Sequence, residues 1–213
     1  MANLGTLIEK VTRRILDDSF TEDEITEYLN EGLNVVSGAV KLPELDAVGE
    51  VTTATDAISV PLPENYQRGL YRCEVKDTGK KVTVLNNKGQ LAVYSHGLKN
   101  EGDVSHVAVV GRELFYQAQP SVATTLVLHY YRKPTPLAAE DDEPSCLPVH
   151  YHNRLLESYA CGEIFELIED GLEGGTPNTD RQQKKFWALV GELKKELKEG
   201  VSNPPPPLTK VNF

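Results

Sequence analysis

The sequence predicts an α+β fold: a helical bundle formed by N- and C-terminal helical hairpins, an inserted small antiparallel β domain, and an extended C-terminal arm. Three observations predict it. Apolar residues recur at helical spacing from Leu4 to Val36 and again after Pro148. Short β-branched runs cut by turn residues fill the stretch between. Four consecutive prolines, Pro204 to Pro207, follow the last helical pattern. The expected divisions are 1–44, the first hairpin; 45–133, the β insert; 134–200, an acidic, Pro-containing linker and the returning helices; and 201–213, the arm.

The first helix is read from one apolar stripe, Leu4, Leu7, Ile8, Val11 and Ile15. The start of the second is marked more sharply. In "SFTEDEITEYLNEGLNVV", Thr21 stands at an N-cap with Glu24 three residues on, a capping box, and Phe20 and Ile25 are placed to close over it. Ile25, Tyr28, Leu29, Leu33 and Val36 then keep helical spacing to about Gly38. The short "DDSF" turn makes the pair an antiparallel hairpin.

From about 49 to 132 the runs "AISVPL", "YRCEV", "KVTVL", "HVAVV", "ELFYQ" and "TTLVLHYY" predict strands of a sandwich or partly closed barrel. Asp77-Thr78-Gly79 and Gly111-Arg112 supply hairpin turns. In the last run Leu126, Leu128 and Tyr130 fall on one face, and Val127, His129 and Tyr131 on the other. The returning helices carry Leu155, Leu156, Tyr159, Ala160, Ile164, Leu167 and Ile168, stopping at Gly171, and then Phe186, Val190, Leu193 and Leu197, stopping at Gly200. Beyond Gly200 the prolines favour an extended polyproline arm, "VSNPPPPLTKVNF".

Composition narrows the function. The formal charge of -10 argues against a protein that grips nucleic acid by neutralising phosphates. It does not exclude one that lets DNA slide past, where an attractive surface would hinder movement. No apolar run approaches the roughly 20 residues of a membrane helix, and charges from Glu9 onward interrupt the apolar block a signal peptide would need. Cys73, Cys146 and Cys161 are odd in number and widely spaced, so they are expected to be reduced thiols in a protein made in a cytoplasm.

Chemistry has one conspicuous candidate. Cys146, His150 and His152 cluster where the helices restart. With Pro148 at the first helical position, the two histidines diverge by about 200°, whereas helical ligand pairs sit three or four apart. The expectation is a helix start and no metal. The acidic loop Glu140 to Pro144 is read as solvated; it lacks the glycine of a calcium loop. No G-x-S-x-G, phosphate-binding or dinucleotide motif is present, and "DTGKK" and "NNKGQ" are read as turns. No catalytic residue and no cofactor is expected. Tyr130, Tyr131, Phe186 and Trp187 are read as core or subunit-contact residues, and Lys184, Lys185, Lys194 and Lys195 as a solvated helix face.

Several stretches together resemble the bacteriophage head-to-tail connector, or adaptor, proteins. They are "LIEKVTRRILDDSFTEDEITEYLNEGLNVV", "VPLPENYQR" (60–68), the strand exit "YYRKPTPL" with "LPVHYHNRLLESYACGEIFE", and "FWALVGELKKEL". The resemblance spans nearly the whole chain. It implies a non-enzymatic ring, usually of twelve copies, docked beneath the portal protein at the capsid vertex. Such a ring extends the channel through which double-stranded DNA passes without sequence-specific binding, and offers a platform to tail or nozzle proteins. It also implies a place in the virion neck, assembly in the bacterial host cytoplasm, and no membrane partner. Because C-terminal tails in that family commonly reach into the portal, Pro204, Pro205, Pro206, Pro207, Leu208, Lys210, Val211 and Phe213 are expected to bind the portal or a neighbouring subunit. A tail-completion or stopper protein is the nearest alternative reading. A metal-dependent hydrolase using the acidic loop and histidines, or a soluble binding module using the β insert, are the alternatives from other classes.

Overall fold

The computed structural model describes residues 2–17, 19–98, 100–170 and 175–199. The fold is mixed α+β, and the chain divides into two compact units, one of Met1–Glu44 with Pro134–Phe213 and the other of Leu45–Lys133.

In the first unit, α1 (Leu4–Ile15) buries Leu4, Leu7, Val11 and Ile15 while Ile8 is half-buried, so one stripe faces inward. Leu16 ends it in the left-handed region. The second helix, α2 (Glu22–Ala39), begins with the complete capping box: the Thr21 hydroxyl accepts from the Glu24 N–H, and the Glu24 carboxylate accepts from the Thr21 N–H at 2.8 Å. Accepting from both the N–H and the hydroxyl of Thr21 holds the Glu24 carboxyl below its ordinary pKa. The third long helix, α4 (Val149–Glu169), packs against α1, α2 and α5 (Pro177–Glu199). It therefore buries residues on several sides, among them Tyr151, Leu155, Leu156, Ser158, Cys161 and Ile164. From α5 come Phe186, Leu189, Val190 and Leu193.

Three local expectations about these helices change. Pro148 is the N-cap of α4 and not its first helical residue, since its extended ψ of 139° lies outside the helix. Leu167 is 57% exposed, because the stripe has rotated away from the packed faces by that point. Leu197 is half-buried. The stops assigned to Gly171 and Gly200 lie outside the described residues.

The second unit is a curled seven-stranded sheet. Its strands are β1 (Asp46–Thr52), β2 (Ser59–Pro61), β3 (Tyr66–Val75), β4 (Lys81–Leu85), β5 (His106–Val110), β6 (Glu113–Tyr116) and β7 (Thr125–Arg132), in the order β1-β7-β3-β4-β5-β6-β2. The two edge strands, β1 and β2, come into contact with each other. Pro61, which has no N–H to give a ladder, sits on an edge strand as that loss requires. Leu126, Leu128 and Tyr130 point inward with Cys73, Val82, Val107 and Leu114 to form the core, as the alternation predicts. The β3–β4 turn passes through Gly79 at φ 66°, a conformation that costs a glycine little.

The sheet is not wholly antiparallel. Strands β4 and β5 pair in parallel, with Thr83 opposite His106. A parallel pair needs a crossover, and here it contains the short helix α3 (Lys88–Tyr94). That helix occupies the segment expected to be a turn: Asn87 is its N-cap and accepts from the Gln90 N–H at 3.0 Å. Its buried Leu91 packs with Leu98 and Ala108 in a second, smaller core.

Candidate functional site

The return into the helical unit, from Pro134 to His152, carries most of the residues singled out for chemistry. Its anchoring begins at Asn30 of α2. The Asn30 amide donates to the Leu137 carbonyl at 2.9 Å and accepts from the Leu137 N–H at 2.7 Å. Leu137 itself is 3% exposed. A backbone strand is thereby clamped to a helix by one side chain that mimics a sheet partner.

The acidic loop has a structural task beyond solvation. A helix leaves its first N–H groups without internal partners. At α1, the Leu4 N–H donates to the Asp142 carbonyl at 2.8 Å, the Gly5 N–H to the Glu140 carbonyl at 3.0 Å, and the Thr6 N–H to the Asn3 side chain at 3.0 Å. The loop backbone therefore caps the first helix. Asp142 holds the loop in shape by accepting from the Ala138 and Ala139 N–H groups at 2.7 and 2.8 Å. These two bonds keep its carboxyl below the ordinary range. The side chains of Glu140, Asp141 and Glu143 are exposed.

The histidines part company as their spacing requires. His150 is exposed, with Nε2 3.2 Å from the Glu196 carboxylate. His152 is 2% exposed, and its Nε2 lies 2.9 Å from the Leu147 carbonyl, while its Nδ1 is buried without a partner. Cys146 is buried. Among the described residues no three of His, Cys, Asp or Glu are grouped to hold a metal ion. The other two thiols, Cys73 and Cys161, are fully buried, and that burial pushes each up to about 12.

A further carboxylate was not legible from motif or spacing. Glu169, at the end of α4, accepts from the N–H and side chain of both Asn178 and Thr179, at 2.8 to 3.1 Å. It is a remote cap for the first turn of α5. Loss of solvent around the carboxylate disfavours its charge, but the four bonds outweigh that and leave its pKa lowered.

The aromatic residues divide. Tyr130 is buried, its hydroxyl donating to Asn65 at 2.6 Å. Tyr131 is half-buried and lies against the Tyr71 ring. Phe186 is buried between Tyr159 and Trp187, and Trp187 is 55% exposed. Lys184, Lys194 and Lys195 are exposed, as a solvated face should be, whereas Lys185 is half-buried beside Arg14.

Two surface grooves therefore flank α5. One, of about 330 Å³, lies toward α1 and includes Arg14, Arg181 and Lys185. The other, of about 260 Å³, lies toward α2 and includes Tyr159, Glu163 and Trp187. Neither brings together an acid, a base and a nucleophile in the manner of a catalytic site. The arm residues Pro204 to Pro207, Leu208, Lys210, Val211 and Phe213 lie outside the described residues. No helix among the described residues is long and apolar enough to cross a membrane.

Comparison with curated proteins finds none that matches. A family model described as "SU10 adaptor protein" matches residues 2–204.

Proposed function

Since the chain belongs to the SU10 adaptor protein family, a phage head-to-tail adaptor family, we propose that twelve copies form a ring beneath the portal, and that the ring continues the DNA channel and receives the tail. The observation that carries this reading is the extent of the match: it runs through both units and both connections between them, and not through one common module. An adaptor works by geometry, so its surfaces must hold their shape. The clamped return at Leu137 and the capping of α1 by the acidic loop supply that rigidity within the helical unit. A net charge of -10 suits a wall along which DNA slides without being held. In this reading the protein is a structural component of the virion neck, not an enzyme, and its C-terminal arm docks on the portal or a neighbouring copy.

Purified protein mixed with its cognate portal and imaged by cryo-electron microscopy tests the reading. The expected result is a ring of adaptor density coaxial with the portal. Binding to a tail component with no affinity for portal would instead make the chain a stopper.

A further inference from the structure

The grooves on either side of α5 have opposite chemistry. Arg181 and Lys185 are one helical turn apart on one flank, and Gln183 and Trp187 are one turn apart on another, about 200° round the helix. Between the flanks run Phe186, Val190 and Leu193, all buried. In the basic groove Arg14 pairs with Glu157 at 3.0 Å, and among the described residues Arg181 and Lys185 make no ion pair. Gln182, which also lines the groove, is 7% exposed, and its buried Oε1 has no hydrogen-bond partner among the described residues.

The other groove answers each of these features. The carboxylates of Glu31 and Glu166 act on Glu163, which lines it. Beside them, the exposed indole of Trp187 offers an N–H and the Gln183 amide offers two more donors. Burial first, and then Glu31 and Glu166, push the Glu163 carboxyl up; burial first, and then Arg14, pull the Lys185 ammonium down, with Glu157 offsetting part of that pull. An oppositely charged surface favours the charged form of both.

We propose that the two grooves are the two halves of a contact between copies, the basic groove of one chain receiving the acidic, aromatic groove of the next. A contact between two different patches is head-to-tail, and such contacts repeat until they close. Closure into a ring rests on the function proposed above; the pairing of the grooves rests on their chemistry. The exposed Trp187 becomes the aromatic anchor at its centre, and the charges set its direction.

Zero-length carbodiimide coupling of a mixture of ¹⁴N- and ¹⁵N-labelled protein, both concentrated alone and bound to portal, tests the pairing. Mixed-isotope peptides joining Lys185 to Glu31, Glu163 or Glu166 are expected. Arg181→Glu or Glu166→Arg alone, both at exposed positions, should reduce self-association about tenfold, the effect of one strong charge contact. The chain carrying both changes should regain most of it. Inter-copy couplings that avoid both grooves, no inter-copy coupling at all, or single reversals that associate like wild type each overturn the proposal. So does an Arg181→Glu chain that loses only DNA binding, which would make the basic groove a phosphate contact. Failure of the wild-type protein to bind portal would sink the adaptor reading instead, while the couplings in concentrated protein still judge the grooves.

Discussion

Glu169 receives four hydrogen bonds from the first turn of α5, where the unpaired N–H groups and the helix dipole both favour an anion. Its carboxyl is lowered in the folded chain, so its contribution to stability is whole above the ordinary value of 4.5 and is lost as pH falls through the lower, folded value. Glu169→Gln should melt a few degrees below wild type near neutral pH, with the gap closing in acid; thermal melts from pH 3 to 7 measure it. A gap that stays constant with pH would mean that the charge plays no part. Asn30 is the corresponding residue for the return segment. Asn30→Ala leaves the Leu137 N–H and carbonyl without their partners, at a cost of about 1–3 kcal/mol in chemical denaturation. Asn30→Asp keeps the acceptor but faces the Leu137 carbonyl with a second oxygen, so it should not restore stability.

At the scale of the element, β1 owes its place to one small residue. A Cβ at Gly49 would stand 2.7 Å from the Tyr130 hydroxyl and 2.9 Å from its ring, both in the core of the β unit. Gly49→Val should destabilise that unit by about 1–3 kcal/mol through overpacking, read as the loss of its near-ultraviolet tyrosine signal at lower denaturant. The same residue explains why β1 was not legible: "DAVGEVT" has a glycine, three charged or polar positions and only Val51 buried. The helix α3 was missed because it places a single residue, Leu91, in a core, which sets up no period. The parallel β4–β5 pairing was hidden for another reason. Alternation tells which face of a strand is buried but not which neighbour it has. By contrast α1, α2, β7 and the capping box were legible, since each is written in contacts between residues close in sequence. Glu169 and the grooves were not, because Arg14 meets Lys185, and Glu31 meets Glu163, only once separate helices have packed.

For the whole molecule, the expected behaviour in isolation is monomeric or weakly associated, since most apolar helix positions are buried within the helical unit and the proposed contact between copies is largely polar. Deleting residues 203–213 should leave the melting temperature nearly unchanged and weaken attachment to portal in a co-sedimentation assay; unaltered affinity would make the arm a loose end. The division of the chain has a consequence in time. The β unit is one continuous stretch, whereas the helical unit is cut in two by it. Synthesis at about 5–20 residues per second therefore delivers α1 and α2 seconds before α4, the helix against which both pack. Over that interval α1 and α2 have only each other to pack against, and Leu7, Val11, Leu29 and Leu33 are left partly uncovered, while the β unit is free to finish. A ribosome stalled after the β unit should thus carry a nascent chain whose middle resists protease and whose beginning does not.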